Sequence, residues 1–198
     1  MFRITEVVKQ LIIINVILFI AKILPLTSFL RDYLVLYIPT SDQFKPIQLV
    51  SNIFMHADEG HLFFNMLGLF FFGPQIESLW GGKKFLVYYF FCGVGATILH
   101  LIVGFDYDSP YLQTVQGASG AVYGIVLAYG MLFPETIVRL IIPPIPIKAK
   151  YMAMGYVAIS LFSGLSGADD NIAHFAHLGG ALFGFLLILF WRKFPFRM

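Results

Sequence analysis

The sequence predicts an all-α polytopic membrane protein, a six-helix transmembrane bundle with both termini in the cytoplasm. Three observations predict it. Hydrophobic residues make up 59% of the 198 and charged residues 12%, about half the ~25% charge of a soluble domain, and mean hydropathy is +0.81. Six apolar stretches, 7–24, 61–80, 85–103, 118–133, 151–165 and 172–192, approach or reach crossing length, which is roughly 20 residues for a helix. With the N-terminus inside, ten Lys and Arg residues fall on the inner side and three (Lys22, Arg31, Lys45) on the outer side, the positive-inside bias.

Each element has its local reason. The first stretch follows Arg3 and Lys9 in the manner of a secretory leader. It runs into Pro25 with no small-residue cleavage site, so it reads as a retained span. The connection 25–54 is semi-apolar around Tyr33–Ile38 but is bounded by Arg31, Asp32 and Pro39. It is expected in the interface or at the rim. Asp106-Tyr107-Asp108-Ser109-Pro110 and Pro143-Pro144-Ile145-Pro146 break the chain before the fourth and fifth stretches. Those two stretches are short, as expected of helices that begin inside a protein-lined cavity. The whole chain, 1–198, reads as one membrane domain.

Composition also excludes functions. A net charge of +2, with its basic residues scattered through loops and ends, argues against nucleic acid as a partner. The single cysteine, Cys92, precludes an intramolecular disulfide and reads as core filling.

Polar residues at membrane depth are costly and mark function. Ser119 stands in Gln116-Gly117-Ala118-Ser119-Gly120, and His177 in Ala176-His177-Leu178-Gly179-Gly180. The topology makes the second, fourth and sixth stretches all enter from the outer side. It puts His61, Asn65, Ser119, His174 and His177 near those entries, at one depth. Gly120/Gly124 and Gly180/Gly184 have the four-residue spacing that lets helix backbones approach. A serine and a histidine so placed form a nucleophile and its base. Tyr123, four positions after Ser119, is set to stack on the imidazole. Each feature alone has a plainer reading: a packing serine, ordinary glycine contacts, a structural histidine. The pairs His56/His61 and His174/His177 are also capable of binding metal. There is no His-Glu-x-x-His, however, and Glu77 is the only carboxylate within the stretches, near the opposite face.

The ordered set His56-x4-His61-x3-Asn65, Gly117-Ala118-Ser119-Gly120 and Ala176-His177-Leu178-Gly179-Gly180 resembles the rhomboid family of intramembrane serine proteases, over 44–185. The resemblance implies a six-helix rhomboid-like bundle of the bacterial type. It implies Ser119 as nucleophile and His177 as general base, a dyad with no carboxylate, and an oxyanion hole of His61, Asn65 and the Ser119 backbone amide. Gly117 would allow the close backbone approach ahead of Ser119, and Tyr123 would support His177. Glu77, before Trp80-Gly81, resembles the family's structural acid. Two positions depart from the pattern. Ile47-Gln48 stand where many relatives have Trp-Arg, so the usual anchoring of the first loop is not carried over. His174 replaces a frequent Asn and is assigned a modulating role.

The expected function is therefore endopeptidase cleavage of single-span membrane proteins, at a helix-destabilised segment near the outer face. The setting is a cell membrane, the bacterial inner membrane, with a site open to the extracytoplasmic side and needing neither cofactor nor metal. The competing functions are a histidine-based metal- or proton-handling membrane protein and a rhomboid-like scaffold that binds without cutting.

Overall fold

Hydrocarbon offers no partners to backbone N–H and C=O groups, so apolar stretches must satisfy them internally as helices. A computed structural model of the chain describes residues 3–23, 27–104, 114–140, 144–166 and 173–194, and it is mainly helical. The long helices are α1 (Glu6–Ile23), α4 (Glu59–Trp80), α5 (Gly82–Leu99, continued by a π turn, His100–Gly104), α6 (Ser119–Leu132), α7 (Ala149–Ser166) and α8 (His174–Lys193). Among the described residues, three helical segments are long and apolar enough to cross a membrane: Glu59–Trp80, Gly82–Val103 and His174–Lys193. The 106–110 breaker, Asp169, Asp170 and Arg197 lie outside the described residues.

Helix α6 is the centre of the bundle, packed by α4, α5, α7 and α8, while α1 lies against α4. Lipid tails are as apolar as leucine, so helix association here rests on close packing rather than on escape from water. Small residues supply that closeness. A Cβ added at Gly124 would stand 3.1 Å from the Gly180 carbonyl oxygen, and one at Gly180 would collide with the Gly120 backbone. The backbones of α6 and α8 thus touch just below Ser119 and His177. Cys92 is fully buried in this packing, in keeping with its reading as core filling.

At the far end of the bundle, Glu77 of α4 caps the start of α1. Its carboxylate accepts the N–H groups of Val7 (3.1 Å) and Val8 (2.9 Å) and the Thr5 hydroxyl (2.5 Å). These amides belong to the first turn, where a helix has no internal acceptors.

The connection from α1 to α4 is more ordered than the sequence implies. It holds α2 (Thr27–Leu34), the two-residue strand β1 (Leu36–Tyr37), α3 (Gln48–Ser51) and a 3-10 turn, Asn52–Phe54. Strand β1 pairs antiparallel with β2 (Thr114–Val115), in register Leu36↔Val115 and Tyr37↔Thr114. The missing Trp-Arg leaves no gap in the anchoring. Gln48 is fully buried. Its Oε1 accepts the N–H groups of Lys45 (3.0 Å) and Tyr37 (3.4 Å), and its Nε2 donates to the carbonyls of Asp32 (2.9 Å) and Gln43 (3.0 Å). One neutral amide fastens the loop.

The connection from α6 to α7, which the prolines mark as a break, contains a hairpin. Strand β3 (Ile137–Arg139) pairs with β4 (Pro146–Lys148). Lys148 and Lys150 both bond Glu135, and these hydrogen bonds hold its exposed carboxyl well below the usual range, at about 2.

Candidate active site

Three helix starts converge on one cavity of about 1340 Å³, whose wall includes His61, Asn65, Gly117, Ser119, Tyr123 and His177. Ser119 is the first residue of α6, His177 the fourth of α8 and His61 the third of α4. All three therefore lie within about one helical turn of their helix starts. The three side chains line one cavity from these positions.

The segment before Ser119 is held from two sides. Gly117 N–H donates to the Asn52 carbonyl (2.9 Å), and Ala118 N–H to His56 Nε2 (3.5 Å). Asn52 is in turn bonded to the Gln48 carbonyl (2.5 Å) and to Thr97 Oγ1 (3.2 Å). Gly117 has φ +130°, and a Cβ there would lie 2.6 Å from His61 Cε1 and Nε2. Only glycine satisfies both the left-handed backbone and the close imidazole. His56 is fully buried and outside the cavity lining, so its place is structural.

On α4, Asp58 caps the helix by accepting His61 N–H at 2.8 Å, an interaction typically worth about 1 kcal/mol. Ala57 N–H donates to His61 Nδ1 at 3.4 Å. A neutral imidazole with Nδ1 as acceptor carries its proton on Nε2, the atom against Gly117. Asn65 uses one amide proton on the His61 carbonyl (2.9 Å). Its amide has two protons to give.

On α8, the His177 imidazole stacks on the Tyr123 ring, with centroids 4.1 Å apart and planes at 14°. His174 is buried, with its ring 6.3 Å from that of His177 and nearly perpendicular to it. It does not line the cavity. The His56 and His61 rings stand 5.1 Å apart. Among the described residues no three His, Cys, Asp or Glu side chains are grouped as metal ligands.

Every site residue expected from the sequence is accounted for: six share the cavity wall, and His174 sits behind it. Sequence reasoning missed Asn52, Gln48 and the Ala57 amide, which set the cavity's geometry through backbone groups. Gln48 opens α3 and Asn52 follows its end, four positions on, the sole local sign of a joint role.

A hydroxyl at a helix N-terminus faces the positive end of the macrodipole. The first-turn amides there, Ser119 N–H among them, have no intrahelical acceptor. The cavity therefore combines a hydroxyl, two neutral-capable imidazoles, an amide and an orphan backbone donor. Such a set suits addition to a carbonyl, where negative charge develops on oxygen.

The fold and cavity define a multi-pass helical membrane protein with a Ser/His-lined polar site enclosed by its helices. The Rhomboid domain profile matches residues 43–194, and the chain belongs to the rhomboid family. It is 28% identical over 161 residues to Rhomboid protease AarA of Providencia stuartii, covering 74% of this chain and 56% of that protein. It is 30% identical over 154 residues to Rhomboid-like protein 11, chloroplastic, of Arabidopsis thaliana (75% and 53%). To Presenilin-associated rhomboid-like protein A, mitochondrial, of Danio rerio it is 31% identical over 172 residues (83% and 44%). The chain thus spans about half the length of these curated relatives.

Proposed function

We propose that this protein is an intramembrane serine endopeptidase with Ser119 as nucleophile and His177 as general base. The observation that carries the reading is the convergence of Ser119, His177, His61 and Asn65 on one cavity below three helix starts. His177 takes the Ser119 hydroxyl proton as Oγ bonds to the scissile carbonyl carbon. His61 Nε2–H, an Asn65 amide proton and Ser119 N–H hold the resulting oxyanion. The tetrahedral intermediate collapses as His177 returns the proton to the leaving amine. Water, deprotonated by the same imidazole, then hydrolyses the acyl-serine. No step requires a metal or a cofactor.

The substrate is a single-span membrane protein that presents an extended segment, because a helix shields its own carbonyls. The lining of the cavity supports this. From Ser119 its lining continues past Phe71 and Gln75 of α4 to Arg139 and Leu140 of the hairpin, so apolar and polar wall lies beside the proposed cleavage site. The six long helices are taken as six spans of one domain covering 1–198. The N- and C-termini are cytoplasmic by the Lys/Arg distribution, with the site open to the extracytoplasmic side of a bacterial inner membrane.

The test is covalent. A fluorophosphonate should label the detergent-solubilised protein at Ser119, as located by peptide mass spectrometry, and neither Ser119→Ala nor His177→Ala protein should react. Labelling elsewhere, or none, would leave the scaffold function in its place.

A further inference from the structure

Lys22 is unexplained by topology or by the dyad. It is one of only three basic residues on the side opposite to the positive-inside excess, and it lies in the last turn of α1, within an apolar span. Its Nζ donates to two successive carbonyls in the segment before α4, those of His56 (2.8 Å) and Ala57 (2.6 Å). The His56 carbonyl and the Ala57 N–H belong to one peptide unit, and that N–H is the donor to His61 Nδ1. A planar, conjugated peptide transmits polarisation from its oxygen to its N–H. A charge-assisted bond at the carbonyl therefore strengthens the amide as a donor at the other end.

We infer that Lys22 is a positioning residue for the oxyanion hole: through the His56–Ala57 peptide it fixes the His61 ring and keeps its proton on Nε2. With Nδ1 protonated instead, Nε2 would present a lone pair to the developing oxyanion. The same clamp holds the segment that carries His56, whose Nε2 accepts Ala118 N–H next to the nucleophile. One ammonium on α1 thereby aligns α4 with the start of α6. Substrate binding does not depend on it, since Lys22 does not line the cavity.

This inference rests on the protease reading, and its test separates the two. Initial rates of cleavage of a transmembrane substrate are measured for wild type, Lys22→Met, Lys22→Gln and Lys22→Arg, each also with His61→Ala. Lys22→Met should lower kcat about tenfold or more, within the ~10²-fold that a 1 Å misplacement costs, with KM within twofold of wild type. Lys22→Arg should restore most of the rate, and Lys22→Met should cost little further once His61 is alanine. Should Lys22→Met not fold, Lys22→Gln, which retains a donor without the charge, carries the same expectation of a lower kcat at unchanged KM. Wild-type kcat in both neutral variants, a rise in KM alone, no rescue by arginine, or an equal loss on the His61→Ala background would each overturn the role of Lys22 while leaving the dyad intact. A wild type whose cleavage is untouched by Ser119→Ala would overturn both.

Discussion

The Tyr123 ring lies face to face on the His177 imidazole, 4.1 Å between centroids and 14° between planes. Tyr123 lies four positions after Ser119, so one face of α6 supplies both the hydroxyl and the surface against which its proposed base rests. A stacked pair is worth about 0.5–1.5 kcal/mol beyond its burial. Tyr123→Phe keeps the ring and should remain within about twofold of wild-type kcat. Tyr123→Ala should lose roughly threefold to tenfold by the same measure. Equal losses in the two variants, read in a steady-state cleavage assay, would assign the role to the phenol oxygen instead.

The proposed oxyanion donors should be separable from the proposed dyad. His61→Ala and Asn65→Ala are each expected to lower kcat by up to roughly 10²–10³-fold, less where water fills the vacated place. Fluorophosphonate labelling rates should fall in parallel, because the same donors hold the phosphoryl oxygen.

Gly117→Ala combines two conflicts: a φ of +130° and a new Cβ 2.6 Å from the His61 ring. Relieving them moves either the segment before Ser119 or the proposed donor itself. Activity should therefore fall by at least tenfold, with a smaller change in the unfolding midpoint, since a 1 Å displacement costs up to ~10²-fold in rate. Wild-type turnover in this variant would dissociate His61 from the reaction.

Gln48→Leu should act on stability first. It removes four hydrogen bonds from a fully buried amide. Each buried backbone group left unsatisfied costs about 1–3 kcal/mol. Denaturant or thermal unfolding in detergent should show a loss of at least that size. The expected loss of activity is secondary, following the path from Tyr37 through the β1–β2 pairing to Gly117. An unchanged unfolding midpoint would refute the anchoring role.

Chelators separate the proposed chemistry from a histidine metal site. Cleavage should persist after treatment with a zinc chelator, and His174→Ala should retain turnover. Inhibition by the chelator, reversed by zinc, would favour metal chemistry at the histidine pairs.

Much of the cavity was legible in the sequence because its polar residues stand out against apolar runs. Ser119 and His177, each flanked by small residues, marked two helices that meet closely, and His61 and Asn65 lay at i and i+4 near the start of a third. Parts that depend on long-range backbone partners were not legible. Gln48 looked like a lost anchor because the residue type differs from Trp-Arg, yet its amide can satisfy both carbonyls and N–H groups. Lys22 registered only as a charge on the minority side, since nothing local reveals that two carbonyls of the segment before α4 receive it. The 137–148 hairpin was hidden by strands of three residues and by Pro146, which reads as a breaker and here occupies a strand position opposite Arg139. The apolar pattern places the fifth stretch at 151–165, and α7 runs Ala149–Ser166. Lys150 in its first turn, engaged by Glu135, concealed the true start.

The central claim is that Ser119 cleaves a membrane substrate from the side on which three helix starts meet. Its most direct measurement is incubation of a purified single-span substrate, tagged at both ends, with wild-type protein and with Ser119→Ala, followed by mass analysis of the fragments. The account predicts two fragments from a single cut in the extracytoplasmic half of the substrate's span or just outside it, and none with Ser119→Ala. Comparable cleavage by Ser119→Ala, or a cut in the cytoplasmic half, would contradict it.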